Sequence, residues 1–146
     1  MENNQIYINT DGGSRGNPGP AAIGIVFSDI NEKQIYGYKE YIGEATNNEA
    51  EYSAILKALE ILAKSQWLVQ NNASHNSVVC RLDSQLVVEQ INGRFKIKQD
   101  HLRVFVDKIR GLISALKLNI SFIYVPREQN KAADKLVNEA LDAELR

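Results

Sequence analysis

The chain has 146 residues, 44% of them apolar, with 17 Lys and Arg against 18 Asp and Glu for a net charge of −1. That length and mixture imply one soluble domain, 1–146, able to bury a proper hydrophobic core. They exclude a global basic field, a membrane-spanning apolar run and, with Cys80 the only cysteine, an internal disulfide.

At the N-terminus, Met1 to Gln5 lack the basic and apolar regions of a secretory signal, so a reducing, cytoplasmic location is expected. Residues 5–10 alternate loosely and read as a strand, with Ile6 and Ile8 on one side and Tyr7, Asn9 and Asp11 on the other. Four glycines and two prolines follow Asp11 within nine residues. So many breakers predict that the strand stops there, leaving Asp11 on a stiff strand end beside flexible backbone. Residues 21–27 and 35–42 read as two further strands joined by a hairpin connection at 28–33, giving an antiparallel meander. A strong amphipathic helix is predicted from Asn47 to about Lys64. His75 falls in a polar loop, 70–77.

Residues 78–83 form the next strand pattern, with Cys80 as a small core residue. A short helix at 84–92 is closed by Gly93. Arg94, Lys96, Lys98 and Arg103 then cluster within ten residues, as either a solvated face or a basic patch. A longer helix at 101–116 opens with His101, which suits a surface or capping role. A strand at 119–125 halts at Pro126, and a terminal helix runs over 131–145. The order β-β-β-α-β-α-α-β-α contains crossover units, which require parallel pairing. The expected fold class is α/β, a five-stranded mixed sheet with helices on both faces. If the strands leading to Asp11 and Asp83 are adjacent and parallel, both acids emerge at one sheet edge, where open α/β sheets place their sites.

Four acids stand out, each with a structural explanation beside the functional one. Asp11 precedes a glycine, a common turn pair. Thr46-Asn-Asn-Glu49 matches a capping box, which accounts for Glu49. Helical periodicity puts Glu49 with Ser53, Lys57, Glu60 and Lys64 on the polar face but Glu51 beside Ile55, Ala58 and Leu62. There a carboxylate is costly unless it is paired, metal-bound or at a wet rim. Asp83 could cap the helix that follows it. Asp134 lies in the first turn of the last helix, favoured by the dipole, near the packed stripe of Ala133, Leu136, Val137 and Ala140. Four such acids on one edge would repel unless cations compensate, and oxygen-only ligands select Mg²⁺ or Mn²⁺.

The blocks Asp11-Gly-Gly-Ser-Arg-Gly-Asn-Pro-Gly-Pro20, Thr46-Asn-Asn-Glu-Ala-Glu-Tyr52, Leu82-Asp-Ser-Gln85 and Val125-Pro-Arg-Glu-Gln-Asn-Lys-Ala-Ala-Asp134 resemble type 1 ribonuclease H over nearly the whole chain. The resemblance implies a ribonuclease H-like fold with sheet order 3-2-1-4-5. It also implies Asp11, Glu51, Asp83 and Asp134 as catalytic metal ligands for Mg²⁺, two ions during catalysis, with Mn²⁺ as a substitute. It further implies an RNA–DNA hybrid as partner, with contacts to the RNA 2′-hydroxyl from Gly12, Gly13, Glu51 and Gln85. Asn17, Thr46, Asn47 and Asn48 would grip the DNA strand, although turn formation and capping also account for the asparagines. Many members carry a loop histidine before the last aspartate. Here Arg127 stands in that loop and resembles the arginine of the short, stand-alone subgroup. Arginine cannot shuttle protons at neutral pH but could bind phosphate. Arg94, Lys96 and Lys98 resemble a reduced version of the family's basic substrate handle.

The expected activity is two-metal endonucleolytic hydrolysis of the RNA strand, leaving 5′-phosphate and 3′-hydroxyl ends, by a monomer without membrane or obligatory protein partner. Two rivals are a different nuclease of the same fold, such as an exonuclease, resolvase or transposase-like enzyme, and a non-catalytic nucleic-acid-binding module. The Gly-rich first block argues against the former, and the four acids argue against the latter.

Overall fold

The computed structural model describes residues 5–66, 77–117 and 119–145. The predicted loop around His75 lies outside them. The elements are β1 (Gln5–Ser14), β2 (Gly19–Ser28), β3 (Gln34–Ala45), α1 (Asn47–Ala63), β4 (Ser77–Leu82), α2 (Gln85–Ile91), α3 (Asp100–Leu116), β5 (Asn119–Tyr124) and α4 (Lys131–Glu144), with a 3₁₀ turn at Arg127–Gln129 before α4. Among the described residues no helix is long and apolar enough to cross a membrane.

The five strands form one sheet in the order β3-β2-β1-β4-β5. The first three are an antiparallel meander, and β4 and β5 join β1 in parallel. The hairpin between β2 and β3 is closed by Asp29, whose Oδ1 accepts from the backbone N–H groups of Asn31 and Lys33, both at 2.9 Å. Helices α1, α2 and α3 cover one face. There Ile6, Ile8, Ile23 and Ile25 of the sheet pack with Ile55, Leu59, Leu62, Val87 and Leu102. Cys80 lies in this core. On the other face, Val137, Ala140 and Leu141 of α4 pack on Ala22 of β2.

One boundary differs from expectation in a way that matters. Strand β1 does not end at Asp11; it continues through Gly12 and Gly13 to Ser14. Its partner β2 matches it residue for residue, with Asp11 opposite Gly24 and Ser14 opposite Ala21. Glycine is unfavourable in a strand unless something must come close to the backbone. Here two helices do. A Cβ on Gly12 would collide with the Ala50 carbonyl of α1 and lie 2.6 Å from the Glu51 nitrogen. A Cβ on Gly24 would collide with the Ala133 carbonyl of α4 and lie 2.9 Å from Leu136 Cβ. The two missing side chains therefore let α1 and α4 seat against the middle of the sheet, one on each face. Pairing with β4, by contrast, stops at Asn9 opposite Arg81. Asp11 is thus held by β2 on one side and unpaired on the side where β1 and β4 part.

Candidate metal-binding active site

Each of the four acids is delivered by a different element. Glu51 sits in the second half of the first turn-and-a-half of α1. That helix starts where predicted because Thr46 Oγ1 accepts from the Glu49 N–H (3.2 Å) while Glu49 Oε1 accepts from the Thr46 N–H (2.8 Å). The capping box occupies Glu49 and leaves Glu51, 7% exposed, facing inward with Ala50, Tyr52 and Ala54. Asp83 follows the last residue of β4, and Ser84, not Asp83, caps α2 by accepting from the Val87 N–H at 3.3 Å. Freed from capping, Asp83 faces the gap between β1 and β4. Asp134 is in the first turn of α4, its N–H donating to the Asn130 carbonyl at 3.1 Å.

Carboxylate oxygens of Asp11, Glu51 and Asp83 lie within 4.8 Å of one another. Asp134 lines the same cleft, near enough for its charge to act on Asp11. Burial, with the charges of Asp83 and Asp134 adding to it, pushes Asp11 up to about 8. Burial first, and then Asp11 and Asp83, hold Glu51 well above the ordinary carboxylate range, while the Gly12 backbone N–H pulls the other way. Burial also raises Asp83, opposed by the Asn130 side chain and the Arg127 charge. Glu51 Oε2 is buried and has no hydrogen-bond partner. An orphaned carboxylate oxygen in a cluster of acids costs free energy by itself, and a cation removes that cost. The donor set contains only carboxylate oxygen, which fits a hard divalent ion of the Mg²⁺ or Mn²⁺ kind.

The acids sit in a cleft of about 580 Å³. Of the residues expected from sequence, Asp11, Gly12, Gly13, Asn47, Glu51, Asp83, Arg127 and Asp134 line it. Asn17, Thr46, Asn48, Gln85, Arg94, Lys96 and Lys98 do not. Asn17 Oδ1 accepts from the Asn47 N–H, and Asn47 Oδ1 accepts from the Ser14 N–H, both at 3.0 Å, so these asparagines tie the end of β1 to the start of α1. Arg94 is taken up by Glu89 at 2.6 and 2.8 Å. Lys96 borders a separate shallow cleft with Phe95, Arg103 and Arg110. His101 lies 3.8 Å from Glu49, away from the four acids. Sequence reasoning missed Arg15, Ser84, Tyr124 and Asn138 on the cleft wall. Asn138 was open to discovery, being four residues after Asp134 on one helix face; its Nδ2 donates to the Asp134 carbonyl (3.1 Å) and Oδ2 (3.4 Å).

A family model described as reverse transcriptase-like matches residues 9–140. The structure of LC11-RNase H1, isolated from compost, superposes with a TM-score of 0.90 at 43% identity, covering 98% of this chain and 99% of that one. A second structure of LC11-RNase H1 is a complex with an RNA/DNA hybrid. RNase H1 of Halobacterium salinarum superposes with a TM-score of 0.83 at 37% identity, covering 95% of this chain and 98% of that one. A bifunctional protein of Mycobacterium tuberculosis is 39% identical over 140 residues, which are 95% of this chain but 36% of that protein. The chain thus spans about a third of the length of that curated relative. The matched segment runs from the strand that carries Asp11 to the helix that carries Asp134, and the chain belongs to the reverse transcriptase-like family and, within it, to the ribonuclease H1 group.

Proposed function

We propose that this chain is a metal-dependent endoribonuclease that cuts the RNA strand of RNA–DNA hybrids and leaves 5′-phosphate and 3′-hydroxyl ends. The observation that carries the proposal is the convergence of Asp11, Glu51 and Asp83 oxygens within 4.8 Å, with one Glu51 oxygen lacking any partner. The complex of LC11-RNase H1 with an RNA/DNA hybrid supports the choice of substrate.

Asp11, Glu51, Asp83 and Asp134 would hold two Mg²⁺ ions, with Mn²⁺ as a substitute. Bound there, the ions would supply a water nucleophile at neutral pH and neutralise charge on the departing 3′-oxygen. The remaining work belongs to the chain. Asp11, on the central strand, is the carboxylate best placed to be shared. Arg127, exposed at the cleft and close enough to favour the ionised form of Asp83, would grip the scissile or departing phosphate in the position of the family's loop histidine. Backbone groups of Gly12 and Gly13 on the cleft wall would meet the RNA 2′-hydroxyl, which distinguishes RNA from DNA. Gln85 would join the glycines at the 2′-hydroxyl. Asn47, with Asn17, Thr46 and Asn48 behind it, would meet the DNA strand, and Arg94 and the Lys96–Lys98 segment would extend the contact. Sequence specificity is not expected from contacts to sugar and phosphate. All four acids come from one polypeptide, so a monomer suffices.

The test is incubation of the protein with Mg²⁺ and end-labelled RNA–DNA hybrid, duplex DNA and duplex RNA. Internal cuts confined to the RNA of the hybrid, lost in Asp11→Asn, are the expected result. Cleavage of duplex DNA would favour a different nuclease of this fold. Binding without cleavage would reduce the chain to a recognition module.

A further inference from the structure

Two buried amides behind the acidic cluster have no role in the mechanism above. Asn9, on β1, is 7% exposed, and Asn130, between the 3₁₀ turn and α4, is 1% exposed. Their hydrogen bonds have a direction. Arg81 Nε donates to Asn9 Oδ1 at 2.9 Å. A guanidinium has no acceptor, so this bond settles which end of the Asn9 amide faces which way. Asn9 Nδ2 then donates to Asn130 Oδ1 at 3.0 Å and to the Gln129 carbonyl at 3.3 Å. Asn130 is left presenting its Nδ2, which donates to the Thr10 carbonyl at 2.9 Å, and its side chain stands close enough to Asp83 to favour the ionised carboxylate. The same residue donates its backbone N–H to the Arg127 carbonyl (2.9 Å) and accepts from the Asp134 N–H (3.1 Å). At the far end, Arg81 is fixed by Glu32 at 2.8 and 3.1 Å and lies 4.1 Å over the Tyr7 ring.

We infer that Asn130 is a positioning residue for the metal site, aiming an N–H at Asp83 and bracing Thr10, Arg127 and Asp134, and that Arg81, acting through Asn9, sets the polarity of that amide. The inference rests on the metal-site reading above. An amide turned end for end keeps its shape but meets Asp83 and the Thr10 carbonyl with an oxygen, which repels both. A carboxamide chain anchored by a pure donor forbids that turn.

Asn9→Asp separates orientation from mere tethering. The new carboxylate still accepts from Arg81, now as an ion pair, and keeps the size of asparagine. It cannot donate to Asn130 Oδ1, so Asn130 must reverse and offer oxygen to Asp83. Mn²⁺ titration by calorimetry should show affinity reduced about tenfold to a hundredfold, the usual effect of losing a partner one step behind a metal ligand. On the hybrid, kcat should fall while KM holds, and the melting temperature should fall modestly, because the Gln129 and Thr10 carbonyls lose their donors. Added negative charge alone would strengthen Mn²⁺ binding, and a lost tether alone would lower the melting temperature and spare Mn²⁺. Asn130→Asp removes the same N–H directly and should give the same loss of affinity, which covers the case of a misfolded Asn9→Asp. Wild-type Mn²⁺ affinity in either folded variant overturns the inference and leaves the metal site standing. A wild type that binds no Mn²⁺ sinks both.

Discussion

Replacing Gly12 by alanine tests how closely the helix carrying Glu51 must approach the strand carrying Asp11. The new Cβ would overlap the Ala50 carbonyl and stand 2.6 Å from the Glu51 nitrogen, where 3.4 Å is the lower edge of an ordinary contact, so the first turn of α1 must retreat by more than about 0.8 Å, the carbonyl being nearer still. The obstacle is backbone on both sides, and no side-chain rotamer can relieve it. Overpacking of this kind costs roughly 1–3 kcal/mol of stability. A displacement near 1 Å in a catalytic constellation costs about 100-fold in rate. Gly12→Ala should therefore melt at a lower temperature, cut the hybrid about 100-fold more slowly and bind Mn²⁺ more weakly. The metal titration matters because Gly12 also faces the cleft: loss of a backbone contact to substrate would slow cleavage and leave Mn²⁺ untouched. Gly111→Ala is the control. Its Cβ would meet nothing within 4 Å in helix α3, and alanine is favoured there by about 1 kcal/mol. It should raise the melting temperature without changing activity. If Gly12→Ala cleaves and binds Mn²⁺ as the wild type does, the seating of α1 on a bare backbone has no bearing on the site.

Glu51→Gln should abolish cleavage, while Glu49→Gln, whose amide oxygen can still accept from Thr46, should retain most activity and the fold; hybrid cleavage rates that reverse this order would mean the wrong glutamate was chosen. In metal-free protein the raised Asp11 binds a proton that the unfolded chain has released, so between about pH 5 and pH 8 the folded state holds more protons and stability falls as pH rises. Thermal unfolding should show this decline, and Mg²⁺ should stabilise more at pH 8 than at pH 5; a flat profile in chelator would contradict the repulsive cluster. Tyr52→Phe removes the hydroxyl that donates to buried Gln90 Oε1 at 2.7 Å and should cost about 1–3 kcal/mol in urea unfolding, with activity unchanged where the protein is folded.

Much of the site was readable along the chain because its logic is local. The 3.6-residue period of α1 separated Glu51 from Glu49, and the Thr46–Glu49 capping box confirmed where that period starts. Asp11 and Asp83 were expected at one sheet edge if their strands were adjacent and parallel, and β1 and β4 are. Gly93, at φ 79°, ends α2 as its position after the apolar run predicted.

What local pattern could not supply was every decision made between distant segments. Glycine after Asp11 reads as a strand breaker until α1 is known to press on Gly12, and Gly24 looks neutral until α4 is laid across it. Asn9 and Asn130 lie 121 positions apart, and either alone is an unremarkable turn or strand residue. The cleft walls contributed by Arg15 and Tyr124 depend on where β1 and β5 finish relative to α4. Periodicity and capping are short-range free energies that the neighbouring residues settle. Close approach of backbones and the polarity of a buried amide chain are set only when packing excludes water and leaves each donor one acceptor to face.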